Sequence, residues 1–146
     1  MDGPKTRPRK ILIVTGEDSG DLHGSRLIRA ALEADPGLSF FGVGGPRMKQ
    51  AGCEIIIPGE ELAVMGLVEA FGHVPRLLGA YSRLKKILRG TPRPDLLVLV
   101  DFAEFNLRLA GTAKRAGVPV LYFVSPQVWA WRRGRGFCCS PRMRTR

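Results

Sequence analysis

Short, nearly continuous apolar runs alternate along the chain with longer segments whose apolar residues recur at helical spacing. Residues 10–15 (KILIVT), 39–43, 54–57, 95–100 (DLLVLV) and 119–124 are the short runs. They lack the polar–apolar alternation of a half-exposed strand, which suits strands buried on both faces of a parallel sheet. Between them the spacing predicts helices over 22–34, from Pro46 to about Ala51, over 61–71, 74–89 and 104–116. Pro36-Gly37, Gly44-Gly45-Pro46, Pro58-Gly59, Thr91-Pro92-Arg93-Pro94 and Gly117 punctuate the elements. Strands alternating with helices predict an α/β fold, a Rossmann-like parallel sheet with helices on both faces, in strand order 3-2-1-4-5.

Composition changes this picture little. With 146 residues and 45% hydrophobic content the chain can bury one domain core. The net charge of +10 would suggest a polyanion partner, so its location decides what it means. Residues 1–10 hold four basic groups against one acid, and residues 132–146 hold six arginines and no acid. The stretch between them carries 13 basic and 12 acidic residues, so the charge sits at the ends. The expected organisation is a basic, disordered start at 1–9, a Rossmann-like domain at 10–133 and an unstructured tail at 134–146. No recognition motif supports nucleic-acid binding. Three cysteines, two of them adjacent, make neither a disulfide framework nor a zinc site, and no metal-ligand cluster is expected. Basic residues without an apolar h-region before Ile11 do not make a signal peptide, and no apolar run approaches a membrane span. A cytoplasmic protein is the expectation.

In such sheets ligands bind beyond the carboxyl ends of the strands. The first segment there is 16–24, where Gly16 and Gly20 let backbone approach a ligand and Glu17, Asp18, Ser19 and Asp21 crowd the turn. It is neither a dinucleotide fingerprint nor a Walker A loop, and Ser19 or Asp21 serving as a helix cap explains the composition equally well. The second is Asp101, directly after the most apolar strand, followed by Glu104 and Asn106. A carboxylate so placed, beside Phe102 and Phe105, is a candidate general base, and equally a cap for the next helix. The third is 125–131 (SPQVWAW), where Ser125, Gln127 and both tryptophans suit a pocket wall or a plain core.

From Ala70 to Pro94 there are six basic residues and no acid, with Val74, Leu77, Leu78, Tyr81, Leu84 and Leu88 on one helical stripe. A core-facing helix with a solvated basic face accounts for the stripe. A helix lying on an anionic membrane surface accounts for both stripe and charge.

Five segments in order resemble the lipid-A-disaccharide synthase family: 16–21 (GEDSGD), 42–48 (GVGGPRM), 61–69 (ELAVMGLVE), Asp101 with Glu104-Phe105-Asn106, and 125–132 (SPQVWAWR). The resemblance covers residue 11 to about 133. It implies the N-terminal half of a two-domain GT-B glycosyltransferase that inverts configuration. Such an enzyme joins UDP-2,3-diacylglucosamine to lipid X, an acylated sugar phosphate acceptor, giving lipid A disaccharide 1-phosphate and UDP. It further implies no cofactor, no dissociable metal and a place on the inner face of the Gram-negative inner membrane. Under this resemblance Asp101 is the base, with Glu104 and Asn106 orienting it or the sugar. Gly16, Glu17, Ser19, Gly20, Ser125 and Gln127 line the acceptor side. Val64, Met65, Leu67, Val68, Arg76, Arg83 and Lys86 meet acyl chains or the membrane.

Two departures matter. Past Arg133 the pattern gives way to an arginine-rich, Cys-Cys-containing tail of the kind a shifted reading frame produces, so the chain is expected to lack activity alone. Phe102-Ala103 stands where a proline is expected before Glu104. The competing reading is a non-enzymatic module that binds a nucleotide or an acyl-sugar.

Overall fold

The computed structural model describes residues 7–63, 74–101 and 103–123. Five strands, β1 (Arg9–Thr15), β2 (Leu38–Gly44), β3 (Cys53–Pro58), β4 (Leu96–Val100) and β5 (Val120–Phe123), form one parallel sheet in the order β3-β2-β1-β4-β5. This is the expected order. β1 begins at Arg9, one residue inside the stretch expected to be unstructured. The five helices are α1 (Asp18–Ala34), α2 (Pro46–Gln50), α3 (Glu60–Ala63), α4 (Val74–Arg89) and α5 (Ala103–Arg115).

Successive side chains of a strand point to opposite faces, and the core divides accordingly. Leu12, Val14, Leu97 and Leu99 meet Leu84 and Leu88 of α4 and Leu109 and Ala113 of α5. Ile11, Ile13, Val98 and Val100 meet Ile28 of α1 and Met48 of α2. Both faces are covered, which is why the strands read as continuous apolar runs. Across the first layer, the Tyr81 hydroxyl lies 2.7 Å from that of Thr112, and the Tyr81 and Phe105 rings meet edge to face at 5.8 Å. These contacts fix α5 against α4.

Gly42 is the tightest point of the sheet. Its φ is 149°, and a Cβ there would run into the carbonyl oxygen of Ile13. The β2–β3 register shifts at the same place, Gly42 pairing with Ile55 and Val43 with Ile57. One extra residue on β3 marks a bulge.

Candidate functional site

Strand register places the candidate segments side by side. Thr15 pairs with Val100, so Gly16 and Asp101 are the first residues beyond the sheet on neighbouring central strands. β5 ends at the same edge, Phe123 pairing with Val100. Ser125 and Gln127 lie outside the described residues, as do Val64, Met65, Leu67, Val68 and Phe102.

Helix α1 starts at Asp18, four residues before the expected start, so Ser19, Gly20 and Asp21 belong to its first turn rather than to a loop. Gly20 is buried there, packed so closely that a Cβ would come within 3.1 Å of the Thr15 Cβ. Its missing side chain lets the helix descend onto the ends of β1 and β4. Glu17 takes the N-cap position without a side-chain hydrogen bond and, with Ser19, is exposed at the rim.

Asp101 has φ 53°, in the left-handed region, where a non-glycine residue carries a cost of about 1–3 kcal/mol. Contacts from Ser19 and Asn106 reach it. The Ser19 hydroxyl lies 3.5 Å from its Oδ2, at the long limit of a hydrogen bond, and the Asn106 side-chain amide donates to its backbone carbonyl. Asn106 is fully buried, and its Oδ1 has no hydrogen-bond partner among the described residues. Phe105 is committed to the core against Tyr81. Of Glu104 the backbone alone is described, in the first turn of α5. The structure therefore brings together Gly16, Ser19, Gly20, Asp101 and Asn106.

The sequence reading offered Asp21 as a cap of its own helix. It is a cap, but of α2. The buried carboxylate accepts hydrogen bonds from the backbone N–H groups of Gly45 (2.9 Å), Arg47 (3.1 Å) and Met48 (3.0 Å). These are donors that a helix start leaves unpaired. The glycine at 45 fits because a Cβ would stand 2.7 Å from the Asp21 Oδ2.

On the opposite face, α4 turns Ala80, Leu84 and Leu88 inward, with Leu77, Tyr81 and Ile87 packed alongside. Most of the apolar stripe is thus core, but Leu78 is 60% exposed and shares the outer surface with Arg83, Lys86 and Arg89. Arg83 reaches the Ile56 carbonyl at 3.4 Å, and a cavity of about 290 Å³ is lined by Glu61, Gly79, Ala80 and Arg83. Arg76 lies in α4, its backbone alone described. Among the described residues no cluster of three or more His, Cys, Asp or Glu is placed to hold a metal ion, and no helix is long and apolar enough to cross a membrane.

A family model for lipid-A-disaccharide synthetase matches residues 11–140. The chain belongs to that family. The match runs seven residues past Arg133, where the sequence reading ends the resemblance. The chain is 71% identical over 129 residues to the lipid-A-disaccharide synthase of Syntrophotalea carbinolica, covering 88% of this chain and 33% of the relative. It is 55% identical over 129 residues to that of Trichlorobacter lovleyi, covering 88% and 33%. It is likewise 55% identical over 131 residues to that of Geobacter metallireducens, covering 89% and 34%. The chain thus spans about a third of the length of the curated synthases it matches. Among solved structures, the fold resembles TcCGT1 in complex with UDP, with a TM-score of 0.51 at 16% identity, covering 86% of this chain and 30% of that one. At that identity the likeness concerns the fold alone.

Proposed function

We propose that this chain forms the acceptor-side half of an inverting, two-domain GT-B glycosyltransferase of the lipid-A-disaccharide synthase family, with Asp101 as general base. The observation that carries the reading is the position of Asp101. It leaves the apolar strand β4 at the carboxyl edge of the sheet, with Ser19 of α1 near its carboxylate. In the proposed reaction the carboxylate takes the proton of the acceptor hydroxyl as that oxygen attacks the anomeric carbon of UDP-2,3-diacylglucosamine. The bond to UDP breaks with its electron pair leaving on the nucleotide, and the configuration inverts. Lipid X is the acceptor, and Gly16, Glu17, Ser19, Gly20, Glu104, Ser125 and Gln127 line its sugar, with Asn106 buried behind Asp101. No metal or cofactor is required by this scheme.

Exposed Glu17 and Asp18 at the rim disfavour a phosphate there and suit hydroxyl groups. The acyl chains and the membrane surface belong to the α4 side, where Leu78, Arg83 and Lys86 are exposed, and Val64, Met65, Leu67, Val68 and Arg76 are assigned to the same role from the sequence. An exposed basic face beside an apolar side chain supports a position on the inner face of the Gram-negative inner membrane.

The test is a chimera in which residues 11–133 replace the matching part of the Syntrophotalea carbinolica synthase. The parent chimera should transfer the sugar to lipid X, and Asp101→Asn should abolish turnover with acceptor binding retained. Near-normal transfer by Asp101→Asn would remove this residue from the chemistry.

A further inference from the structure

Asp101 and Asn106 make a pair whose geometry neither residue explains alone. Asp101 adopts the left-handed φ of 53° without the freedom of a glycine, and such outliers persist where surrounding structure over-determines them. Asn106 is fully buried in the first turn of α5, its amide nitrogen donating to the Asp101 carbonyl and its oxygen without a donor among the described residues. What the described residues do show is its donor end, which closes the link from α5 back to the residue that leaves β4. That helix is in turn fixed against α4 through Tyr81, Thr112 and Phe105.

We propose that Asn106 is a positioning residue: it holds the Asp101 backbone in the left-handed conformation and so aims the carboxylate across the rim toward Ser19. It acts on the reaction through Asp101 and does not touch the sugar. This rests on the reading of Asp101 as the base, and it replaces the broader assignment of Asn106 to acceptor binding.

Two measurements test it. In the chain itself, NMR of Asp101 should show the strong intraresidue HN–Hα cross-peak of a left-handed residue, and Asn106→Ala should abolish that signature with the sheet intact. In the chimera, the same substitution should lower kcat about 100-fold, as small misplacements of a reacting group do, with the KM for lipid X nearly unchanged. If Asn106→Ala does not fold, Asn106→Leu answers the same question. It is close in shape and lacks the donor. Retention of the left-handed conformation in either variant overturns the proposal. So does a rise in KM at constant kcat, which assigns Asn106 to the sugar. Full activity of Asp101→Asn defeats the base and with it the catalytic half, while the NMR result still decides whether Asn106 sets the backbone.

Discussion

The Asp21 carboxylate on α1 accepts a hydrogen bond from the backbone N–H of Met48 at 3.0 Å, across 27 residues of sequence. With the N–H groups of Gly45 and Arg47 it completes the start of a five-residue helix that is too short to stand on its own propensity. Asp21→Ala leaves three donors without their acceptor and should destabilise the chain by roughly 2–4 kcal/mol. Asp21→Asn keeps one oxygen but turns an amide group toward the Arg47 N–H, and should fall between the two. Urea unfolding checks both. A loss below about 0.5 kcal/mol in the alanine variant, the range of an ordinary surface change, would show that water replaces the carboxylate.

Glycines of opposite consequence lie in the sheet and on the helices. Gly42→Ala puts a Cβ onto the Ile13 carbonyl at a φ of 149° and should cost at least about 3 kcal/mol or prevent folding. Gly79 in α4 and Gly111 in α5 are exposed, and a Cβ at either meets nothing within 4 Å among the described residues. Gly79→Ala and Gly111→Ala should each stabilise by about 0.5–1 kcal/mol, since alanine is the better helix former. Thermal unfolding of the three variants reads the signs. A stable Gly42→Ala chain would mean that β2 can shift away from β1.

These cases show what the sequence could reveal. The strands were legible because burial on both faces leaves uninterrupted apolar runs, as in residues 95–100, and strand–helix alternation fixed the sheet order. The start of α1 was less so. Gly20 and three acids looked like a turn, because glycine is a poor helix residue and Asp a good cap. Gly20 is there for its close approach to Thr15, and Asp21 spends its carboxylate on α2. Neither purpose is local, so neither leaves a local pattern. For the same reason Asp101 could be placed at the edge of the sheet from β4 alone, while its left-handed backbone and the Asn106 contact needed coordinates. The stripe on α4 was legible as an amphipathic helix, but sequence spacing put Leu78 among the buried positions.

Cys53 gives a prediction in pH. Burial chiefly, then the nearby charges of Glu54 and Asp21, push its thiol up from 9.0 to about 12, and burial pushes the Tyr122 hydroxyl up from 10.0 to about 12. A thiol reacts as its thiolate, so at pH 8 Cys53 should resist alkylation in the folded chain and react once unfolded. Peptide mapping separates it from Cys138 and Cys139. Both groups have a raised native pKa. Their contribution is therefore fully present below about pH 9 and is lost as pH rises toward 12, because the unfolded chain releases these protons first. The urea midpoint should fall across that window, and less steeply in Cys53→Ala. Rapid labelling of native Cys53 at pH 8 would contradict the buried thiol.

The outer face of α4 yields the last prediction, on the proposed membrane surface. Leu78, Arg83, Lys86 and Arg89 are exposed together, and no acidic residue lies on this helix. A basic group near an anionic bilayer contributes about 1 kcal/mol, which is roughly fivefold in binding. Lys86→Glu should therefore weaken binding to phosphatidylglycerol-rich vesicles by about fivefold or more, and leave the small affinity for phosphatidylcholine vesicles unchanged. The arginines of residues 132–146 are present in both proteins, so the difference between them reports α4 alone. Raising the salt concentration should shrink that difference, because exposed charges are screened over about 10 Å at 0.1 M. Equal sedimentation of the two chains with anionic vesicles would leave the basic face as an ordinary solvated surface, and would move the acyl chains of the acceptor elsewhere.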